Sequence, residues 1–459
     1  MLRGRHLGVL DIHNAAEKTL LKNLRTGKAS GGNRHKGSSE YLYVCPSASV
    51  YPHQWLWDSC FHSIVMARFD GRLAKAELDT LLSTTRSDGL IPHLATWKKS
   101  TPVPFLDSAM ALVRNIMHHA NLTQPPVLGT ALEEVYKHTG DRDFLERVLP
   151  TAKLHYRYLA SHRDPDGDGL VSIIFPIESG MDHSPTYDAI LGLGKATAIG
   201  FHIANIKLLV RYLLAGWNLK HIFSSDVFTV EDLAFNCIYA SGLRAMARLC
   251  DVVGDADSAH FRQLSGQVER AIILRCYNHD DDIFYSLCSK DEIQAPVKTV
   301  ASLMPLVLES LPPAMAKRLV DDYLLKPQFF WTAHPVPSVS LSESQFSVAS
   351  DRLGEPKGLL QRLRHLFSKY QMVWRGPTWV NTNWFIARGL RQHGYGEIAD
   401  ELVARTVGMV AKSGFWEFYN PLTGQGMGAS DFGWSTLVVD MLDSCSPHVK
   451  NSILRHVAY

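Results

Sequence analysis

The sequence contains no run of 18 apolar residues, so none of it is long enough to cross a bilayer as a helix. It also lacks any C-x-x-C pair. Its seven cysteines (Cys45, Cys60, Cys237, Cys250, Cys276, Cys288 and Cys445) are scattered and odd in number, which argues against a disulfide scaffold and reads as reduced thiols in a cytoplasmic protein. Charge of one sign is missing too: Lys plus Arg number 47 against 45 for Asp plus Glu, so no global field would hold nucleic acid or an anionic membrane. No repeat of about 34 or 40 residues recurs, as a helical solenoid would require. The basic start, Met1-Leu-Arg-Gly-Arg-His6, leads into Asp11, His13 and Glu17 rather than an apolar stretch, and reads as no secretory signal.

Apolar residues make up 46% and charged residues 20% of the 459 residues, enough to bury a large core. Phe144, Val148, Ala152, Tyr156 and Leu159 recur at helical spacing, as do Ile398, Leu402, Val403 and Val407. Similar stripes at 55–68, 72–84, 127–138, 203–215, 232–250, 258–276, 298–310, 314–324, 379–392 and 433–442 predict roughly a dozen helices. Few segments alternate as strands do; Phe284-Tyr-Ser-Leu287 is one short candidate. The expected fold is all-α, two concentric rings of six helices in an (α/α)6 toroid, with loops over a central pocket. Residues 1–459 are expected to form one catalytic domain, with 1–44 a helical or partly flexible extension. The stretches 216–230 and 326–356 read as long irregular loops, either of which would suit the pocket mouth.

Ten Trp and 21 His are many for this length, and four clusters combine aromatic rings with polar groups. Tyr51-Pro-His-Gln-Trp-Leu-Trp-Asp-Ser-Cys-Phe61 sets two indoles beside Asp58, a group that stacks a sugar and grips its hydroxyls or, equally, a capped helix with buried Trp. Phe175-Pro-Ile-Glu-Ser-Gly-Met-Asp-His-Ser-Pro185 holds Glu178 and Asp182 in a polar loop; Asp182 suits proton delivery or the capping of a helix at Pro185. Val373-Trp-Arg-Gly-Pro-Thr-Trp-Val-Asn-Thr-Asn-Trp384 surrounds Arg375 with indoles, and the guanidinium fork suits a carboxylate or sugar hydroxyls. Gly414-Phe-Trp-Glu-Phe-Tyr-Asn-Pro421, followed by Asp431-Phe-Gly-Trp-Ser435, sets Glu417 among aromatics.

In order and wording these clusters resemble glycoside hydrolase family 63, in particular its short members acting on α-mannosylglycerate and α-glucosylglycerate. The resemblance rests on W-x-W-D at 55–58, D-G-x-I-P-H at 88–93, T-Q-P-P at 123–126, E-S-G-M-D-x-S-P at 178–185, W-R-G-P-x-W at 374–379 and the aromatic stretch at 417–421. It implies an inverting α-glycosidase with Asp182 as general acid and Glu417 as general base. It further implies sugar-binding roles for Trp57, Asp58, Gln124, Gly180 and Trp379, with Arg375 and Trp434 as neighbours and His93 touching substrate or orienting its loop. Inversion requires the two carboxyls to stand about 6.5–9.5 Å apart, with Asp182 protonated and Glu417 ionised.

The partner expected is a small α-mannoside or α-glucoside, with an α-glucosidase on an oligosaccharide fragment or a non-catalytic sugar-binding protein as alternatives; the oligomeric state stays open. On the leaving-group side the nearest cations are Lys195 and Arg211. Neither metal nor cofactor is expected. Asp164-Pro-Asp-Gly-Asp-Gly-Leu170 has the start of a calcium loop, but Phe175 stands where the twelfth-position glutamate belongs, so the segment reads as a polar turn.

Overall fold

Helix starts follow from short polar side chains that satisfy the free backbone N–H groups of the first turn. The Asp232 carboxylate accepts from the Phe235 N–H at 2.8 Å and opens the helix Leu233–Val253. Asp141 does the same for Arg142–His162 through Phe144, at 2.9 Å, and Asp70 for Gly71–Leu82 through Arg72, at 2.8 Å. The helix Leu233–Val253 stops at Gly254, whose φ of 74° is open to glycine at little cost. The computed structural model describes residues 9–29, 40–97, 121–194, 196–348 and 372–457.

The helices come as sequential pairs. Leu56–Met66 packs on Gly71–Leu82, Leu128–Thr139 on Arg142–His162, Leu233–Val253 on Ser258–Ala271 and Val380–Gln392 on Gly396–Ser413. The first member of each pair also touches the next: Leu56–Met66 meets Leu128–Thr139, which meets Leu233–Val253, which meets Val300–Val307. Val300–Val307 in turn meets Val380–Gln392, which meets Gly433–Leu437, which returns to Leu56–Met66. One continuous buried apolar cluster runs from Ile12 to Leu454. The architecture is helix-rich, and among the described residues no helix is long and apolar enough to cross a membrane.

Three expected helices differ in kind. Residues 300–307 wind as a 3-10 helix with Pro305 inside it, because proline has no N–H for the α-helical ladder. The segments expected at 258–276 and 314–324 change from α to π winding at Ile272 and at Leu319. The stretch 216–230 is less irregular than expected, since Asn218 caps a short helix, Leu219–Ser225. Strands are short but more numerous than the alternation suggested. The candidate at 284–287 divides: Ile283–Phe284 pairs with Tyr277–Asn278, and Leu287–Cys288 joins Val230–Glu231 and Ile293–Gln294. The extension at 1–44 contributes the helix Val9–Asn23 and a hairpin of Leu24–Lys28 with Glu40–Val44. Residues 349–356 of the expected second long loop lie outside the described residues.

Candidate active site

Residues of all four clusters sit at or beside the N-terminal ends of the helices that touch one another in turn. Trp57 and Asp58 occupy the first turn of Leu56–Met66, Trp379 is the N-cap of Val380–Gln392, and Trp434 lies in the first turn of Gly433–Leu437. Four indoles meet as a result. Trp374 stacks on Trp379 at 3.8 Å between centroids, Trp57 meets Trp434 edge-on at 5.5 Å, and Trp379 meets Trp434 edge-on at 5.6 Å. Stacked and edge-to-face pairs are each worth about 0.5–1.5 kcal/mol beyond the area they bury, so this wall is rigid as well as apolar.

Glu417 lies beside that wall on the strand Trp416–Tyr419, whose pairing with Gly426–Ser430 shifts register between Trp416 and Phe418. Such a bulge re-aims the side chain at its centre. The Glu417 carboxylate accepts from the Tyr51 hydroxyl at 3.1 Å and from the Ala429 N–H at 2.9 Å. The Trp434 indole N–H donates to the Glu417 carbonyl at 3.0 Å. Gly428, at φ 72°, leaves room for the carboxylate: a Cβ there would stand 2.6 Å from Oε2.

Among the described residues no cation acts on Glu417. Burial pushes its carboxyl up to about 7 and the Asp182 charge adds to the rise, while the Ala429 N–H and the Tyr51 hydroxyl hold it down. The sequence suggested a carboxylate that simply stays ionised; desolvation without a countercharge makes it instead a group poised near neutrality. A base with such a value is matched to proton transfer at neutral pH.

The loop carrying Asp182 is held from behind. Glu178, fully buried, pairs with Arg163 and accepts from the Thr123 N–H at 2.9 Å and the Ile174 N–H at 2.7 Å. Gly180 follows at φ 70°, and a Cβ there would collide with the ring carbons of Trp57. The loop thus lies flat against the Trp57 indole because residue 180 has no side chain. Among the described residues Asp182 caps no helix: Ser184 opens the turn Pro185–Tyr187, accepting from the Thr186 N–H at 3.4 Å. The Asp182 side chain stays 35% exposed, with His183 Nδ1 3.5 Å from one oxygen.

Arg375 has a carboxylate already. Its fork binds Asp188 in two hydrogen bonds of 2.7 and 2.5 Å, buried on its own side, and so fixes the segment just beyond the Asp182 loop. Asp58 is buried at the foot of the wall, and its Oδ1 has no hydrogen-bond partner among the described residues. Desolvation raises its carboxyl well above the ordinary range, Glu417 adds to the rise, and hydrogen bonding from its own backbone and from Trp57 opposes it. Gln124 accepts from the Trp57 N–H at 3.3 Å. His93 joins its backbone to Leu56 and Leu122 and sets its ring edge-on to Trp55 at 5.8 Å.

Tyr51 and Asp188 escaped the sequence reading. Tyr51 stood within the first cluster without a role, and Asp188 follows the motif by three residues with no signal beyond that proximity. Lys195 lies outside the described residues, and Arg211 is exposed. Two groups of carboxylates close enough to share a metal ion occur among the described residues, Asp164 with Asp166 and Asp168, and Asp168 with Glu231 and Glu292; neither includes Asp182 or Glu417.

Residues 51–435 match the family model of the mannosylglycerate hydrolase MGH1-like glycoside hydrolase domain. A mannosylglycerate hydrolase of Selaginella moellendorffii is 27% identical over 86% of this chain and 80% of its own. A glucosylglycerate hydrolase of Mycolicibacterium hassiacum is 24% identical over 85% of this chain and 91% of its own. The crystal structure of the family 63 mannosylglycerate hydrolase from Thermus thermophilus, in complex with Tris and D-glycerate, superposes with a TM-score of 0.75 at 24% identity, covering 94% of this chain and 99% of that one. With its motifs, its buried glutamate and its fold all in agreement, the chain belongs to the mannosylglycerate hydrolase MGH1-like family and is a glycoside hydrolase.

Proposed function

We propose that the chain hydrolyses a small α-mannoside or α-glucoside of glycerate with inversion at the anomeric carbon. Asp182 delivers a proton to the leaving oxygen while Glu417 takes one from the attacking water, across a separation of about 6.5–9.5 Å. The observation that carries this reading is a buried glutamate on which no cation acts among the described residues, hydrogen-bonded by Tyr51 and Ala429, that feels the charge of a partly exposed aspartate. A carboxylate so placed removes a proton and also stabilises the positive charge of an oxocarbenium-like transition state. Trp57, Trp379 and Trp434 present the surface on which a sugar ring stacks, and Asp58 offers its hydroxyls an oxygen with no partner among the described residues. Gln124 and Gly180 set the position of Trp57, His93 borders the same end, and Arg375 acts through Asp188.

The same reading extends to the whole chain. The helices that touch in turn, each backed by a partner, support a single (α/α)6 toroid with the site at one end. Seven free cysteines, six of them buried, support a cytoplasmic setting. Proton NMR of α-mannosylglycerate and α-glucosylglycerate with the protein tests the function. The expected result is free hexose whose first-formed anomer is β. An α anomer formed first overturns inversion; turnover of an α-glucosyl oligosaccharide alone moves the substrate to that class, and calorimetric binding without turnover makes the chain a sugar-binding protein.

A further inference from the structure

The turn 164–170 leaves helix Arg142–His162 as D-x-D-G-D-G, with aspartates at the first, third and fifth positions of a calcium loop and glycine at the sixth. In the sequence the loop lacks its glutamate, since Phe175 stands at the twelfth position. The fold supplies one from elsewhere. Ile173 bridges Val230 through two backbone hydrogen bonds, of 2.8 and 3.1 Å, and the next residue along that strand is Glu231. Asp168, Glu231 and Glu292 bring one oxygen each within 4.8 Å of one another, as do Asp164, Asp166 and Asp168. Two oxygens bound to one ion at about 2.4 Å are at most about 4.8 Å apart, so both groups have the spacing of ligands to a shared cation.

A cluster of carboxylates can be a solvated surface, but this one is not. Glu231 is only 6% exposed, and its Oε2 has no hydrogen-bond partner among the described residues. The Asp168 side chain is 4% exposed; one oxygen accepts from the Leu170 N–H at 2.7 Å and the other, 3.1 Å from Arg275 Nε, makes no hydrogen bond among the described residues. The burial and the repulsion of these carboxylates push Glu231 up to about 9 and Asp168 up to about 6. Arg275 opposes this rise in Glu231 and pairs with Asp168 and Glu292, two of the five carboxylates. Asp164 meanwhile accepts from the N–H groups of Gly167 and Gly169, at 2.7 and 3.0 Å, which curls the turn around the other carboxylates.

We propose that one calcium ion binds at Asp168, the carboxylate the two groups share, drawing in Glu231 and Glu292 from one side and Asp164 and Asp166 from the other, and so ties the turn after helix Arg142–His162 to the strand Val230–Glu231. Hard oxygen donors in number, on a flexible turn, suit calcium better than magnesium, which keeps its waters and demands a strict octahedron. The ion would have no part in the hydrolysis. Its effect would be on the frame, because Arg163, the residue just before the turn, holds Glu178 behind the Asp182 loop.

The test uses the whole chain after treatment with a chelator, titrated with CaCl2 alone and with MgCl2 alone in a calorimeter, beside thermal unfolding. Calcium is expected to bind one to one and to raise the unfolding midpoint by roughly 2 °C or more, by mass action on the folded state, with magnesium much weaker. Glu231→Gln is expected to weaken calcium binding roughly tenfold or more, while its calcium-free form unfolds at a higher temperature than the calcium-free parent near pH 7, since the parent must take up a proton at Glu231 or bury its charge in order to fold. Asp166→Asn, at an exposed position that does not endanger the fold, is expected to weaken binding as well. No heat and no midpoint shift at millimolar calcium overturns the proposal, as does equal binding by parent and both variants. An equal response to both ions overturns the assignment to calcium.

Discussion

Glu178, in the 3-10 turn Pro176–Ser179, and Glu417, on the strand Trp416–Tyr419, are both buried glutamates beside the same site, yet their surroundings differ in one respect. Every partner of Glu178 is an obligate donor: the Arg163 guanidinium and the N–H groups of Thr123 and Ile174. Glu417 has one obligate donor, the Ala429 N–H, and one partner that can donate or accept, the Tyr51 hydroxyl. The first carboxylate is held by a countercharge and by two N–H donors, and it anchors the loop. The second has no countercharge among the described residues, and burial raises it to about 7, where its proton can come and go at neutral pH. Burial alone does not distinguish an anchor from a catalytic group; what neutralises the charge does.

Replacing each glutamate by glutamine separates the two roles. Glu417→Gln is expected to lower kcat by about 10²–10⁴-fold with little change in KM, the range for loss of a general base, measured by steady-state kinetics on whichever glycoside the protein turns over. Its fold is expected to survive, because the amide oxygen accepts from Ala429 while the amide N–H donates to a reversed Tyr51 hydroxyl. The folded carboxyl sits at about 7 against an ordinary 4.5, so the folded state binds the proton more tightly. That contribution to stability is fully present below about pH 4.5 and is lost as pH rises through about 7. Glu417→Gln is therefore expected to unfold at a higher temperature than the parent at pH 8, with the gap shrinking toward pH 5.

Glu178→Gln inverts this pattern. The amide cannot satisfy three donors and leaves Arg163, which is 1% exposed, buried without a countercharge. A loss of about 3–5 kcal/mol in unfolding free energy is expected, read by urea titration, and activity falls mainly because less of the protein is folded.

Gly180 tests the junction between the two regions. Gly180→Ala forces a Cβ into the Trp57 ring at a φ of 70°, and a cost of about 1–3 kcal/mol with a raised KM is expected. Gly254→Ala is the control. Its φ is 74° with nothing within 4 Å of the added Cβ, so it is expected to cost about 1–2 kcal/mol from the backbone alone and to leave KM unchanged.

Much of this was legible in the sequence because it is written in local patterns. Helices such as Leu128–Thr139 and Val380–Gln392 fall within a residue or two of the apolar stripes, since period and capping are short-range properties. The motif around Glu178 and Asp182 identified the loop but not the different duties of its acids, because Arg163 lies 15 residues away from Glu178 in a helix end that carries no motif. Likewise the Arg375 fork was recognisable as a carboxylate holder, while its partner Asp188, 187 residues distant, was not. The proton affinity of Glu417 depends on the absence of a neighbour, and an absence in space leaves no mark in a sequence. Glu231 beside the Asp164 turn is a further case: the loop was read as incomplete because its remaining acid comes from a different strand.

The smallest expected effect bears most directly on how Glu417 is tuned. A general base must be ionised to act, so kcat/KM is expected to rise with pH through about 7, the value at which burial places this carboxyl. Tyr51 opposes that rise by donating to the charged form at 3.1 Å. Removing the hydroxyl in Tyr51→Phe leaves the Ala429 N–H as the single donor, favours the protonated carboxyl, and is expected to move the acid limb of the profile upward by roughly half a unit to one unit. At about pH 8.5, where both forms are largely ionised, parent and variant are expected to converge in kcat/KM to within a few-fold; at about pH 6 the variant is expected to fall well behind. An unmoved limb would mean that the group titrating in the profile is some other than Glu417, and the contrast with Glu178 would then rest on stability alone.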